Sequence, residues 1–600
     1  MIRAFSKIIF FLFILNCIQF AQNGPIKEII LSEGSYYNTN LKDESGFPEI
    51  KLALTLNRSE LIIKANVKDN HFKDGDRSWR YGDGFFVNFV TPFNNGTDSS
   101  NKFYSFGFSI QDGKPVAFVV NKDGKYFPKI SSPPVPEIKI NNSLKTADYF
   151  IKIPWENIYP FNPLRDSLAG INIVYISQND DRSRKINMLI YDNYDTESTN
   201  FRKYIPVRFR QSDKSRLQFS FAPKPKLVIK SPLIISYFVF SPGIVNSDFK
   251  VRIFKNQSLL NSHDFSTPLI SGKDNFRDKI DLMMIPGLYK ISISLNDSLI
   301  HNDNFLIYDS SFISKSKKEI DLLASDDNAA SSLSVTTLYY QLNIIENEIA
   351  SFDERKNLEE LQNQIETFTS LLKIFMKDKT IFNKEGYLLA AFKSQIDLSP
   401  QPFSIMLPAN FNPRQKHNLL FALHGSGVDE VEYIKYAAKM FAQNNFILVA
   451  PRGRGLSDWY TGTTEKDVVD LIKNIKSVFK IDKSFLYGFS MGGYGAWRFG
   501  LLYPELFDAA IVASGIPFNP RDEKHEYDMN NIIKKEKKLA YLVLHGTNDN
   551  SLDISYTDSF IKKLQALNYD ITYKRIEGAG HGNYESKEII QKWLQKFIDK

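Results

Sequence analysis

The sequence predicts a multidomain chain: an N-terminal β-sandwich, a smaller all-β domain, a helical connector and a C-terminal α/β domain built on a mostly parallel sheet. Three observations lead there. A chain of 600 residues exceeds what one hydrophobic core supports, so several domains are expected. As far as about residue 309, short alternating strands follow one another without helical spacing between them. From about Phe382 to Lys600, apolar strands alternate with helix-forming segments, the pattern of a parallel sheet covered on both faces.

The composition is that of a globular chain, with 43% hydrophobic and 24% charged residues. The net charge of +7 is spread along the chain without a basic stripe or tail, which argues against a nucleic-acid partner. Forty-eight Phe and 29 Tyr suit β-rich domains and surfaces that face sugars. The first 21 residues read as a signal peptide. Arg3 and Lys7 precede an apolar run from Ile8 to Ile18 that is too short to span a bilayer, and Ala21 supplies the small residue at the cut. Cleavage leaves no stable membrane span and implies a secreted, periplasmic or envelope location of bacterial type. Cys17 is the only cysteine, so the mature chain has no disulfide and no cysteine metal site; lipidation at Cys17 is the alternative.

Residues 26–210 form the first β domain. Its strands include 51–56, 61–67, 84–90, 104–110 and 171–176, with Trp155 assigned to the core. Residues 223–309 follow the Pro-rich linker Ala222-Pro223-Lys224-Pro225. The turn Pro286-Gly287 and the alternating run 288–295 suggest an immunoglobulin-like sandwich without chemistry of its own. Residues 314–379 change period. Leu338, Leu342, Ile345 and Ile349 fall at helical spacing, as do Leu358, Leu361, Ile365, Phe368, Leu372 and Phe375. They read as a helical pair connecting the β modules to the last domain, 382–600.

The chemistry is legible in that last domain. The apolar strand ending in Leu486-Tyr487 runs into Gly488-Phe489-Ser490-Met491-Gly492, and a helix-forming segment follows at once. Such a turn holds a serine hydroxyl above the sheet, with glycines where a side chain would strike the neighbouring strand or helix. Serine is a poor nucleophile unless a base removes its proton and an acid orients that base. Two later strands end in His545-Gly546-Thr547-Asn548-Asp549 and Glu577-Gly578-Ala579-Gly580-His581, which supplies the order Ser490, Asp549, His581. Asp553 is the reserve acid. His424 and His545 are assigned to shaping turns, and the remaining histidines suggest no metal centre. The anion formed in acyl transfer needs two N–H donors, for which the backbones of Met491 and Gly425–Ser426 are candidates. Arg452, Trp459 and Tyr460 follow another strand and are candidates for the substrate rim. No cofactor is called for.

Two resemblances accompany these readings. Leu423-His424-Gly425-Ser426-Gly427, Gly453-Arg454-Gly455, the Ser490 turn, Tyr503-Pro504-Glu505, His545-Gly546-Thr547-Asn548-Asp549 and Gly580-His581-Gly582 stand in the order found in the α/β-hydrolases of the esterase and prolyl-oligopeptidase-like branch. Val67-Lys68-Asp69-Asn70, Tyr81-Gly82-Asp83-Gly84, Tyr149 to Trp155 and Tyr175 to Asp180 resemble the family-nine carbohydrate-binding modules. The first implies a serine hydrolase. The second implies a sugar stacked on aromatic faces, with Trp79 and Tyr81 as the candidates. Together they point to an exported esterase acting on an ester-bearing, polysaccharide-linked substrate. A secreted serine peptidase of the prolyl-oligopeptidase type is the first alternative, and a carbohydrate-binding surface protein with an inactive hydrolase domain the second.

Overall fold

The structure is a computed structural model. In the N-terminal half it describes residues 29–32, 36–42, 48–57, 59–69, 72, 83–91, 102–111, 113–120, 134–158, 161–163, 165–178, 184–188, 204–210, 218–221, 226–229, 231–241, 243, 245–269 and 272–283. Beyond these it describes 285–324, 328–352, 357–409, 411–441, 445–455, 458–520, 533–582 and 587–598. The expected signal peptide, Cys17, Trp79 and Tyr81 lie outside the described residues. The chain divides into two compact units, Met1–Ser310 with Ser351–Gln362, and Ser311–Ala350 with Asn363–Lys600.

The first unit is built from β-sheets. One sheet runs Ile29–Ser32, Ile205–Arg210, Leu168–Gln178, Gly84–Thr91, Lys102–Gln111 and Lys114–Val120, with Arg184–Met188 also on Leu168–Gln178. The sheet facing it runs Tyr37–Lys42, Glu49–Leu56, Glu60–Lys68, Thr146–Pro154 and Val135–Asn141. Both contribute to one core. In Glu60–Lys68 every second residue is buried, Leu61, Ile63, Ala65 and Val67, as its alternation predicts. Gly84–Thr91 behaves differently. It is buried along its whole length, Asn88 and Thr91 included, and Phe86 joins Val174 and Ile176 in a second small cluster. Trp155 is a core residue, packed edge-on to Phe161 and Phe209, with its indole N–H donating to the Asn57 carbonyl at 3.0 Å.

A second pair of sheets holds three strands (Gln218–Phe221, Leu233–Ser241, Gly272–Ile280) and five (Leu227–Val228, Ser298–Ile307, Gly287–Leu295, Val245–Lys255, Ser258–Leu269) around their own core. Its first strand begins upstream of position 223. Two of its hairpins turn on Asn256-Gln257 and Asn296-Asp297, all four residues with positive φ. Such two-residue turns match the strand twist and favour asparagine and aspartate.

In the second unit, strands β1 (Gly386–Lys393), β2 (Pro400–Leu407), β3 (His417–Leu423), β4 (Ile447–Pro451), β5 (Ile481–Phe489), β6 (Ala509–Ala513), β7 (Ala540–Gly546) and β8 (Ile571–Ile576) form one sheet. Its order is β1-β2-β4-β3-β5-β6-β7-β8. The pairs β1–β2 and β2–β4 are antiparallel, and the remaining pairs are parallel. Leu419 to Leu423 are fully buried, as a strand covered on both faces requires.

The described helices are α1 (Phe312–Leu323), α2 (Ala329–Ala350), α3 (Leu358–Asp378), α4 (Glu430–Phe441), α5 (Thr463–Val478), α6 (Met491–Leu502), α7 (Ile554–Ala566) and α8 (Lys587–Ile598), of which α3 begins among residues of the first unit and the rest lie in this one. Helices α4 and α8 share one core with the sheet through Ile434, Phe441, Ile590 and Trp593. Helix α2 is fastened to β1. Thr337 Oγ1 donates to the Ala391 carbonyl and accepts from its N–H, both at 3.1 Å, and Gln341 Nε2 donates to Leu389 O at 2.7 Å. The expected helical pair is therefore three helices, and the middle one is part of the α/β unit. No described helix is long and apolar enough to cross a membrane.

Candidate active site

The site is assembled at the carboxyl edge of the parallel strands, where loops after β3, β4, β5, β7 and β8 converge. Strand β5 stops at Phe489 and α6 starts at Met491, which leaves Ser490 alone at the corner with φ +56° and ψ −118°. A side chain rarely adopts this conformation, so the surroundings must hold it. Ser490 N–H donates to Ala513 O at 2.9 Å, and Ser490 O accepts from Tyr494 N–H at 3.1 Å. The flanking glycines are required by contact. A Cβ on Gly488 would lie 1.9 Å from Gly492 O, and one on Gly492 would lie 1.9 Å from Leu423 O.

Loops after β7 and β8 bring two side chains to this corner. His581 Nε2 is 2.9 Å from Ser490 Oγ, and His581 Nδ1 is 2.7 Å from Asp549 Oδ2. With Nδ1–H donating to the carboxylate, Nε2 offers its lone pair to the serine hydroxyl. Asp549 Oδ1 accepts the N–H groups of Ser551 and Leu552, each at 2.9 Å. Burial pushes the Asp549 carboxyl up, but hydrogen bonds from His545, His581 and Leu552 N–H outweigh it and hold the group well below the usual carboxylate range. Asp553, the reserve acid, instead caps α7 by accepting Ser555 N–H at 2.8 Å.

The loop after β3 runs beside the serine: a Cβ on Gly425 would sit 3.6 Å from Ser490 Cβ. His424 braces this loop from beneath, its Nδ1 2.9 Å from Gly425 O and its Nε2 2.9 Å from Arg452 O. The Tyr460 hydroxyl donates to His424 O at 3.2 Å. Met491 opens α6, at a position whose N–H has no acceptor within its own helix. Ser426 stands in the same loop as Gly425, within the turn that follows β3.

Of the three rim candidates only Arg452 is exposed. Tyr460 is fully buried beneath the β3 loop, and Trp459 is buried against Tyr494 at 5.7 Å. Both take positive φ, +53° and +58°, and their burial places them in the interior rather than on the rim. Sequence reasoning missed Glu430, the first residue of α4, which is buried with no hydrogen-bond partner on Oε2. The Arg452 guanidinium lies 3.9 Å away. Among the described residues no group of three His, Cys, Asp or Glu could hold a metal ion.

Glu430 carries a stability prediction. Burial raises its carboxyl, and Arg452 pulls it back only in part. A folded-state pKa above the unfolded one adds stability at low pH, and that stability is lost as pH rises through the folded value. At pH 7 the ionised, buried group is therefore a cost. Glu430→Gln is expected to raise the urea midpoint above that of wild type at pH 7 and to lose that advantage at pH 4.

Residues 414–535 match the family model of the serine aminopeptidases, S33. A probable feruloyl esterase C of Aspergillus flavus is 26% identical over 181 residues, which is 28% of this chain and 63% of that protein. An acetyl esterase of Caldicellulosiruptor saccharolyticus is 25% identical over 225 residues, 30% of this chain and 84% of that protein. Among solved structures, a fluorophosphonate-binding serine hydrolase of Staphylococcus aureus shares 17% identity over 36% of this chain and all of its own, with a TM-score of 0.31. The chain thus spans less than two thirds of the feruloyl esterase it matches. The sheet order and the serine corner are those of an α/β-hydrolase fold, and the serine aminopeptidase model matches within this C-terminal unit.

Proposed function

We propose that the protein is exported and that its C-terminal unit hydrolyses esters of acylated carbohydrate by two-step acyl transfer. One observation carries the reading: the line of hydrogen bonds from Ser490 Oγ through His581 to Asp549, at 2.9 and 2.7 Å. In the first step Ser490 attacks the ester carbonyl while His581 Nε2 takes the hydroxyl proton, and Asp549 stabilises the resulting imidazolium. The tetrahedral oxyanion lies against the backbone N–H groups of Met491 and the Gly425–Ser426 turn. Donors of this kind are worth about 2.7–4 kcal/mol each. His581 then returns the proton to the departing alcohol, and water repeats the cycle on the acyl-enzyme.

The substrate class draws support from the feruloyl and acetyl esterases among the relatives. The aromatic-rich β modules would hold the carbohydrate, and residues 1–21 would direct export. A second reading, a serine peptidase, is favoured by the name of the family matched over 414–535. A panel of p-nitrophenyl acetate, feruloylated and acetylated xylo-oligosaccharides and peptide anilides separates the two. Turnover of the esters with the anilides untouched is expected. Cleavage of the anilides alone would overturn the esterase reading.

A further inference from the structure

A second imidazole touches the carboxylate that orients His581. His545, at the end of β7, is fully buried, and its Nε2 is 2.8 Å from Leu552 O and 3.2 Å from Asp549 Oδ2. Both neighbours of Nε2 are acceptors, so Nε2 carries the proton. Nδ1 faces the buried Thr557 hydroxyl of α7, 3.0 Å away. Asp549 Oδ2 is therefore shared between two rings while Oδ1 takes two backbone N–H groups. We propose that His545 is a positioning residue for the Ser490–His581–Asp549 relay: it fixes Oδ2 and draws off part of the charge that Asp549 presents to His581.

The proposal rests on the acyl-transfer reading and adds to it a fourth side chain that never meets substrate. Its physical basis is the number of donors on one carboxylate. Hydrogen bonds to a charged group are stronger than those between neutral partners, and each donor on one carboxylate takes up part of the charge the others would meet. A carboxylate that leaned only on His581 would present more of its charge to that ring, and Oδ2 would be held from one side only. The titratable groups the structure sets against this pair are His581, from the loop after β8, and Asp553, at the N-terminus of α7. Among the described residues, α7 and the loop after β6 bring the Thr557 hydroxyl and Gly515 O, which is 3.3 Å from Thr557 Oγ1.

The test compares His545→Leu, which removes the donor, with His545→Gln, whose amide can replace it, and with Thr557→Val, which leaves the ring but removes the partner of Nδ1. His545→Leu is expected to lower kcat on p-nitrophenyl acetate by about 10- to 100-fold with KM little changed, and to move the acid limb of kcat/KM to higher pH. His545→Gln should recover most of the rate. Thr557→Val should shift the limb in the same direction by a smaller step, which keeps the test open if His545→Leu fails to fold. Ring 15N NMR of His581 reads the same shift without turnover. An upward shift there supports the role of His545 even in a protein that cleaves no ester, an outcome that would sink only the acyl-transfer reading. An acid limb and a His581 titration that stay put in every folded variant, or move to lower pH, overturn the proposal.

Discussion

Ser490→Ala is expected to lower kcat for ester hydrolysis by about 10⁶-fold while leaving the fold intact. The nucleophile is one part of a unit, so its loss removes the benefit of His581 and Asp549 together. About 10³- to 10⁴-fold over water should remain, supplied by binding and the anion site. Alanine keeps the same Cβ at the corner where φ is +56°, so the strain there is unchanged and the circular dichroism spectrum should match wild type. A variant that kept a tenth of the activity would place the chemistry elsewhere.

Gly492→Ala is the second large effect, and it falls on stability. The added Cβ would lie 1.9 Å from Leu423 O and 3.0 Å from His424 O. Both are backbone atoms at the end of a fully buried strand, so neither can swing aside as a flexible side chain would. A loss of more than about 4 kcal/mol is expected, seen as failure to accumulate folded protein or as a collapsed urea midpoint. Gly427→Ala is the contrast, since a Cβ there meets nothing within 4 Å although φ is +85°. Only the left-handed backbone penalty of about 1–2 kcal/mol should appear. Equal losses at the two positions would mean that close contact at Gly492 is not what fixes the corner.

The sequence carried the site because each of its parts has a local signature. A strand that runs into Gly488-Phe489-Ser490-Met491-Gly492 announces the corner, and His545 to Asp549 and Gly578 to His581 are turn-rich ends of strands. Chain order then paired residues 490, 549 and 581 without knowledge of distance. What stayed hidden depends on packing between distant segments. Helix α1 escaped because its buried residues are only Ser316 and Ile320, too few to make a period. Helix α2 read as half of a connector, because nothing in its own pattern reveals that Thr337 and Gln341 bond to β1.

Trp459 and Tyr460 looked like rim residues because they follow a strand end. Neither their burial nor their positive φ has a signal in two aromatic residues. The bond from His545 to Asp549 could have been suspected, since His-Gly-x-x-Asp sets the two residues four apart. Only coordinates show that the loop closes tightly enough for them to meet. Gly84–Thr91 fits the alternating series in sequence, yet it is buried along its whole length, Asn88 included.

The measurement that tests the central claim most directly is covalent labelling of the full chain by a fluorophosphonate probe, with the modified peptide identified by mass spectrometry. Label on Ser490, absent in Ser490→Ala and slowed at least about 10³-fold in His581→Ala, is the predicted result. A wild-type protein that takes no label, or takes it at another residue while Ser490 stays free, would contradict the account.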